Sequence, residues 1–229
     1  MYLHLNKILY VVFNLFGIIS LLFSIIIINR KHKVVSNEYL SYYYMFFMIG
    51  FFVFAKIFHI ILDFDYKFNI INHSTFELIK FLSSGYTFIG GIIGGFAAIF
   101  LLAKMAKNNY YDILLLFAPS VLLMYAFMKI GCYFNGCCGG INGFSIQLLE
   151  SFLNLSGYIL IMVYLNDEKR RIYASGFVFG LFRFVVSFFR KYPNNFSFIF
   201  IQVFCFLLII CCLYGLIISK KKEKLCKKG

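Results

Sequence analysis

Charge is what this sequence has least of. Only 14% of its 229 residues are Asp, Glu, Lys or Arg, against 62% hydrophobic, and its mean hydropathy is +0.86. Soluble globular domains spend about a quarter of their residues on charge, so that class is excluded and an integral membrane protein is indicated. Other absences narrow the reading. No small-x-small cleavage signal follows the first apolar run, 8–28, which ends in Asn29-Arg30-Lys31, and a retained helix is expected there instead of a signal peptide. Acidic residues are the scarcer sign, 9 against 22 Lys and Arg, for a net charge of +13. Membrane topology and affinity for anionic lipid heads account for that excess, so no nucleic-acid partner is invoked. No pair of broken helices recurs in two halves, which argues against a secondary transporter. The 7 cysteines do not form a secreted disulfide framework, since Cys205, Cys211 and Cys212 sit in the last apolar run as small packing residues and Cys226 lies in a basic tail.

What is present is hydrophobic length. Seven runs can cross the ~30 Å of a bilayer's hydrocarbon, namely 8–28, 40–62, 86–103, 113–134, 144–165, 173–189 and 196–219. Their connectors are short, so 1–229 reads as one integral membrane domain, an all-α polytopic helical bundle. The segment 76–84 (FELIKFLSS) is too short to span and is expected to be re-entrant or interfacial. With seven crossings, one side collects Arg30, Lys31, Lys33, Lys104, Lys107, Lys169, Arg170, Arg171 and the lysines of the tail, while the other holds Lys7, Lys67, Lys80, Arg190 and Lys191. The richer side belongs in the cytoplasm, with the amino terminus outside and the carboxyl terminus inside. Lys56, Lys129 and Arg183 are left within the spans.

Ionisable groups inside spans need a partner or a wet cavity. Lys56 lies about 9 Å below the outer end of the second run at 1.5 Å per residue, a depth from which it can snorkel; His59 is one turn nearer the surface. Gln147 and Glu150 share a helical face in the fifth run; a buried acid there costs about 2.5–3.5 kcal/mol, so Glu150 should face a partner. Arg183, in GLFRFVVSFFRKYP, is permanently charged and offers a fork of donors suited to phosphate. Gly90, Gly91, Gly94 and Gly95 form two small-xxx-small pairs. These allow close helix packing, or leave the backbone of Gly90 and Gly91 open to a lipid head at a helix amino terminus. Pro119 should bend the fourth run. Just beyond it, KIGCYFNGCCGG spaces Cys132, Cys137 and Cys138 as C-x4-C-C. Three roles fit: packing, a Cys132–Cys137 disulfide, or zinc, for which the loop lacks a histidine. No metal and no cofactor are expected. Under this topology Lys56, Lys129, Glu150, Arg183 and the glycine pair all lie in the outer third of the bilayer, a suitable setting for a phospholipid head.

The series YTFIGGIIGG, DILLLFAPSVLLMYAFMKIGCYFNGCCGG, QLLES and GLFRFVVSFFRKYP, over roughly 55–193, resembles the prolipoprotein diacylglyceryl transferases, seven-span bacterial enzymes of the cytoplasmic membrane. The resemblance implies transfer of diacylglyceryl from phosphatidylglycerol to the lipobox cysteine thiol of a prolipoprotein, releasing glycerol phosphate. It further implies that Arg183 clamps the phosphatidylglycerol head, that Asn135 and Gly136 are the Asn-Gly of a signature loop, and that Gln147 and Glu150 belong to a Gln-Leu-Tyr-Glu element. Lys129 and Lys56 stand where the family has arginines. Arg183, Lys129 and Glu150 are the candidate catalytic residues; Lys56, Asn135, Gly136, Gly90, Gly91 and Gln147 join them as candidate head-group contacts. Four positions depart from the family: Ile89 for a histidine proposed to help activate the thiol, Cys132 for an asparagine, Cys137 for a glutamate and Phe179 for a tyrosine. A paralogue serving another acceptor, and a non-catalytic lipid-binding protein, are the alternatives.

Overall fold

The computed structural model describes residues 2–62, 85–192 and 195–226. Within them the chain is helical: α1 (Tyr2–His32), α2 (Asn37–Leu62), α3 (Phe88–Met105), α4 (Tyr110–Phe134), α5 (Ile146–Tyr164), α6 (Glu168–Ser187) and α7 (Asn195–Cys226), with a 3-10 turn at Ile141–Gly143. Every apolar run read from the sequence overlaps one of these helices. The segment 76–84, with Lys67 and Lys80, lies outside the described residues. Six helices, all but α6, are long and apolar enough to cross a membrane. Four basic residues, Lys169, Arg170, Arg171 and Arg183, keep α6 out of that group.

The helices pack as two compact units. One takes in the described parts of Met1–Lys33, Leu114–Lys191 and Ile201–Gly229, the other those of Val34–Ile113 and Tyr192–Phe200. The second unit is built on α2 against α3. A side chain at Gly50 would collide with the carbonyl of Gly94, and one at Gly94 with Phe54 and the carbonyl of Gly50. Gly90 lies against Phe58, while Gly91 and Gly95 receive the rings of Phe51 and Phe47. Both glycine pairs therefore serve close backbone approach, the first of the two roles their spacing allows. At the start of α3, Thr87 N–H donates to Ala55 O at 3.0 Å. Lys56 Nζ reaches the carbonyl of Gly85 at 3.4 Å and sits 5.3 Å from the centre of the Tyr86 ring.

In the first unit α4 is the core element, with Leu115, Leu116, Phe117, Leu122, Met124 and Tyr125 all at most 2% exposed. Polar contacts hold it to its neighbours in surroundings where apolar burial discriminates little between helix pairs. Ser120 Oγ, next to Pro119, bonds Ser24 Oγ of α1 at 2.7 Å, and Ser24 Oγ bonds Tyr158 OH of α5 at 2.9 Å. Asp167 caps α6 by accepting from Arg170 N–H at 3.0 Å. The run NDEKRR, which in sequence looks like a solvated connector, is not uniformly so. Arg171 is 1% exposed; its Nε donates to Leu165 O at 2.5 Å and its Nη1 to His32 Nε2 at 2.9 Å. The other ring nitrogen, His32 Nδ1, lies 2.7 Å from Glu168 Oε1, so α1 is pinned to the start of α6.

The crossing of α2 and α3 yields a direct test. Gly94→Leu should lower the thermal unfolding midpoint in detergent, followed by circular dichroism, by an amount matching about 1–3 kcal/mol of overpacking or more. Gly139→Ala, at a site with no atom within 4 Å of the added carbon, should change stability by no more than about 0.5 kcal/mol. Equal midpoints for the two variants would refute the close approach.

Candidate functional site

Three helices of the first unit bring charge together in a place that excludes water. On α4, Tyr125 and Lys129 are four residues apart and so share a face; they are 2% and 5% exposed. Glu150 and Asn154 repeat that spacing on α5, and Phe179 and Arg183 repeat it on α6. The three faces meet at the carboxylate of Glu150, which is 1% exposed. Lys129 Nζ lies 2.5 Å from its Oε2, and Arg183 Nη1 donates to its Oε1. Tyr125 OH donates to Oε1 at 3.1 Å, and Asn154 Nδ2 holds the backbone carbonyl of Glu150 at 2.7 Å. The ring of Tyr125 lies under the Lys129 ammonium, 5.0 Å from centroid to Nζ, and meets Phe179 edge to face at 5.3 Å.

Charge counting shows what this arrangement can do. Two buried cations share one carboxylate, leaving the triad with one net positive charge in a medium where unpaired charge costs several kcal/mol. An anion brought between Lys129 and Arg183 would relieve that excess, and a phosphate fits the donor geometry of arginine. Lys129, Glu150 and Arg183 are thus brought together as the sequence suggested. Tyr125 was missed; its signal is its place one helical turn before Lys129.

Gln147 lies on the same face of α5 as Glu150, and its Nε2 donates to Cys137 O at 2.7 Å, tying the cysteine loop to the charged cluster. The loop begins with a Schellman turn: Cys137 N–H returns to Cys132 O at 3.2 Å and Gly136 N–H to Tyr133 O at 3.1 Å, with Gly136 at φ 67°. Gly136 thereby ends α4. Asn135 is exposed beside it, with no side-chain bond to Lys129, Gln147, Glu150 or Arg183. The rest of the loop is joined to the end of α6 by backbone: Gly140 pairs with Arg190, Ile141 N–H donates to Phe189 O at 2.9 Å, and Lys191 N–H donates to Gly139 O at 3.2 Å. Cys132, Cys137 and Cys138 are free thiols, so the disulfide their spacing allows is not formed. Their sulfurs all lie within 4.8 Å of one another, a donor set able to hold a metal ion. Hydrogen bonds from Cys132 and Cys137, together with the charges of Lys129 and Arg190, hold the Cys138 thiol well below the usual thiol range. Lys56, Gly90 and Gly91 belong to the second unit, in the surroundings described above.

Comparison with known proteins identifies the family. A family model described as prolipoprotein diacylglyceryl transferase matches residues 2–218. Among curated relatives, the phosphatidylglycerol–prolipoprotein diacylglyceryl transferase of Clostridium tetani is 28% identical over 79% of this chain and 74% of its own length. The enzyme of the same name from Chlorobaculum tepidum is 28% identical over 62% of this chain and 58% of its own. That from Dehalococcoides mccartyi is 32% identical over 38% of this chain and 32% of its own. With the family model matched along nearly its whole length, the chain belongs to the prolipoprotein diacylglyceryl transferase family.

Proposed function

We propose that the chain is a multi-pass enzyme of the bacterial cytoplasmic membrane that transfers diacylglyceryl from phosphatidylglycerol to the cysteine thiol of a prolipoprotein. The observation that carries this reading is the buried Lys129–Glu150–Arg183 triad with its net positive charge. In the reaction the acceptor sulfur attacks the glycerol carbon bearing phosphate. The thiol proton passes to water, a C–S bond forms, and the C–O bond breaks with its electron pair leaving on a phosphate oxygen as glycerol phosphate. Charge grows on that oxygen, so Arg183 and Lys129 stabilise the transition state more than the ground state. Glu150 keeps the two cations apart and aimed, with Tyr125 and Asn154 fixing the acid. Gln147 positions the loop that ends α4, and Asn135 and Gly136 border the head-group site.

Topology fits the same picture. α6 has 20 residues, about 30 Å at 1.5 Å per residue, long enough for a seventh crossing with Glu168 to Arg171 in its first turn and Arg183 further in, against Glu150. Seven crossings would put the termini on opposite sides, and the basic connectors at Arg30, Lys104 and Lys169 favour a cytoplasmic carboxyl terminus.

The test is a reconstituted assay with phosphatidylglycerol and a lipobox peptide, reading diacylglyceryl peptide and glycerol phosphate. R183A should lower turnover by about 10²–10³-fold, the usual cost of one transition-state donor, and R183K should recover only part of it because the fork is lost. K129R, which installs the arginine that the sequence resemblance implies at this position, should be at least as active as the parent, whereas K129M should not. Full turnover by R183A would remove the site, and no turnover by the parent beside a working relative would remove the activity. E150Q leaves two buried cations without their acid, and a loss of about 3–5 kcal/mol of stability is expected in detergent unfolding; an unchanged midpoint would show that the acid is not paired.

A further inference from the structure

The cysteine turn offers more than packing. Cys132 ends the last full turn of α4, and the Schellman turn at Gly136 folds Cys137 back over it. Cys138 follows at φ 61°, a left-handed conformation uncommon outside glycine and asparagine. That strained residue completes the set, since all three sulfurs lie within 4.8 Å of one another. Sulfurs bound to one zinc ion at about 2.3 Å stand about 3.8 Å apart in a tetrahedron, so a closure of about 1 Å brings the three onto a common ion. A disulfide would use two of them and leave the third idle. The thiols are half-buried, not enclosed, with the exposed Asn135 and Gly136 alongside. Three thiolates and a divalent ion carry one net negative charge, which Lys129, one turn back along α4, and Arg190 can balance.

We infer that Cys132, Cys137 and Cys138 form a zinc site with an open fourth position, and that this position takes the acceptor thiol. The inference rests on the transferase reading for the identity of that thiol. Zinc with three protein ligands and one exchangeable position is the arrangement of catalytic sites, and a thiol entering such a position is deprotonated by the metal. The acceptor's proton passes to water as the thiol binds. Its sulfur then forms the C–S bond to the glycerol carbon, the C–O bond breaks toward the phosphate beside Arg183 and Lys129, and water replaces the poorly coordinating thioether.

The experiment uses the full-length protein in detergent, reduced and stripped of metal, then titrated with Co²⁺ and Zn²⁺. One equivalent should bind, with a cobalt–thiolate charge-transfer band that Zn²⁺ abolishes. The three thiols should become protected from alkylation, counted by mass spectrometry. C132S, C137S and C138S should each weaken uptake by more than the roughly 10–100-fold typical of an outer-shell partner, while their metal-free unfolding midpoints match the parent's. A lipobox peptide should change the cobalt spectrum, and the same peptide with serine for cysteine should not. Absence of uptake, uptake unaltered in C138S, or a Cys132–Cys137 disulfide in protein taken directly from membranes would overturn the site. Full-rate diacylglyceryl transfer by metal-free protein would overturn the role of zinc and leave the transferase standing. Uptake with a cysteine-dependent spectrum but no transfer would keep the site and remove the transferase reading.

Discussion

A carboxylate shared between two cations in an apolar interior governs the first unit. Glu150 meets Lys129 on one oxygen and Arg183 on the other; moving α4, α5 or α6 away would strand a charge at a cost of several kcal/mol. Apolar packing sets no comparable condition, because lipid and side chains are nearly equivalent surroundings for leucine or phenylalanine. The ion pairs therefore do for these helices what hydrophobic contrast does in water. In the proposed reaction their imbalance would supply the chemistry: a neutral cluster would hold the helices as well and attract no phosphate.

The three charged residues were legible because a lysine, a glutamate and an arginine inside apolar runs are costly enough to demand a reason. Tyr125 was not, since tyrosine is common in membrane helices and only its hydrogen bond to Glu150 sets it apart. Arg171 was read as solvated because its neighbours are charged; its burial depends on His32, 139 positions away in sequence, a relation no local pattern reveals. For Gly90 and Gly91, spacing made packing the default and left lipid contact open as the second role; Phe58 and Phe51 fill the space beside them. The thiols were visible as a C-x4-C-C motif, but their convergence depends on φ values at Gly136 and Cys138 that composition does not reveal.

Membership of the family throws the departures into relief. Lys129 brings a compact charge where the sequence resemblance implies a planar one; it reaches Glu150 and rests over the ring of Tyr125, leaving the forked geometry of the triad to Arg183. Phe179 packs against that same ring, so, set against the tyrosine that the resemblance implies there, it keeps the aromatic wall and gives up a hydroxyl. These changes cluster around Tyr125, and they alter how the cations are held without altering their number.

The backbone seam between the loop at Gly139–Ile141 and the end of α6 has a consequence of its own. Because Ile141 is joined to Phe189 and Lys191 to Gly139 through main-chain bonds, the span from Arg183 to the thiol-bearing turn is set by peptide geometry and not by side-chain rotamers. The seam acts as a ruler. If a lipid phosphate rests on Arg183 and the acceptor sulfur on the turn, as proposed, the two can meet only at one separation, so an acceptor whose cysteine sits too deep or too shallow in its own helix would fall off the scale without ever being refused by a pocket.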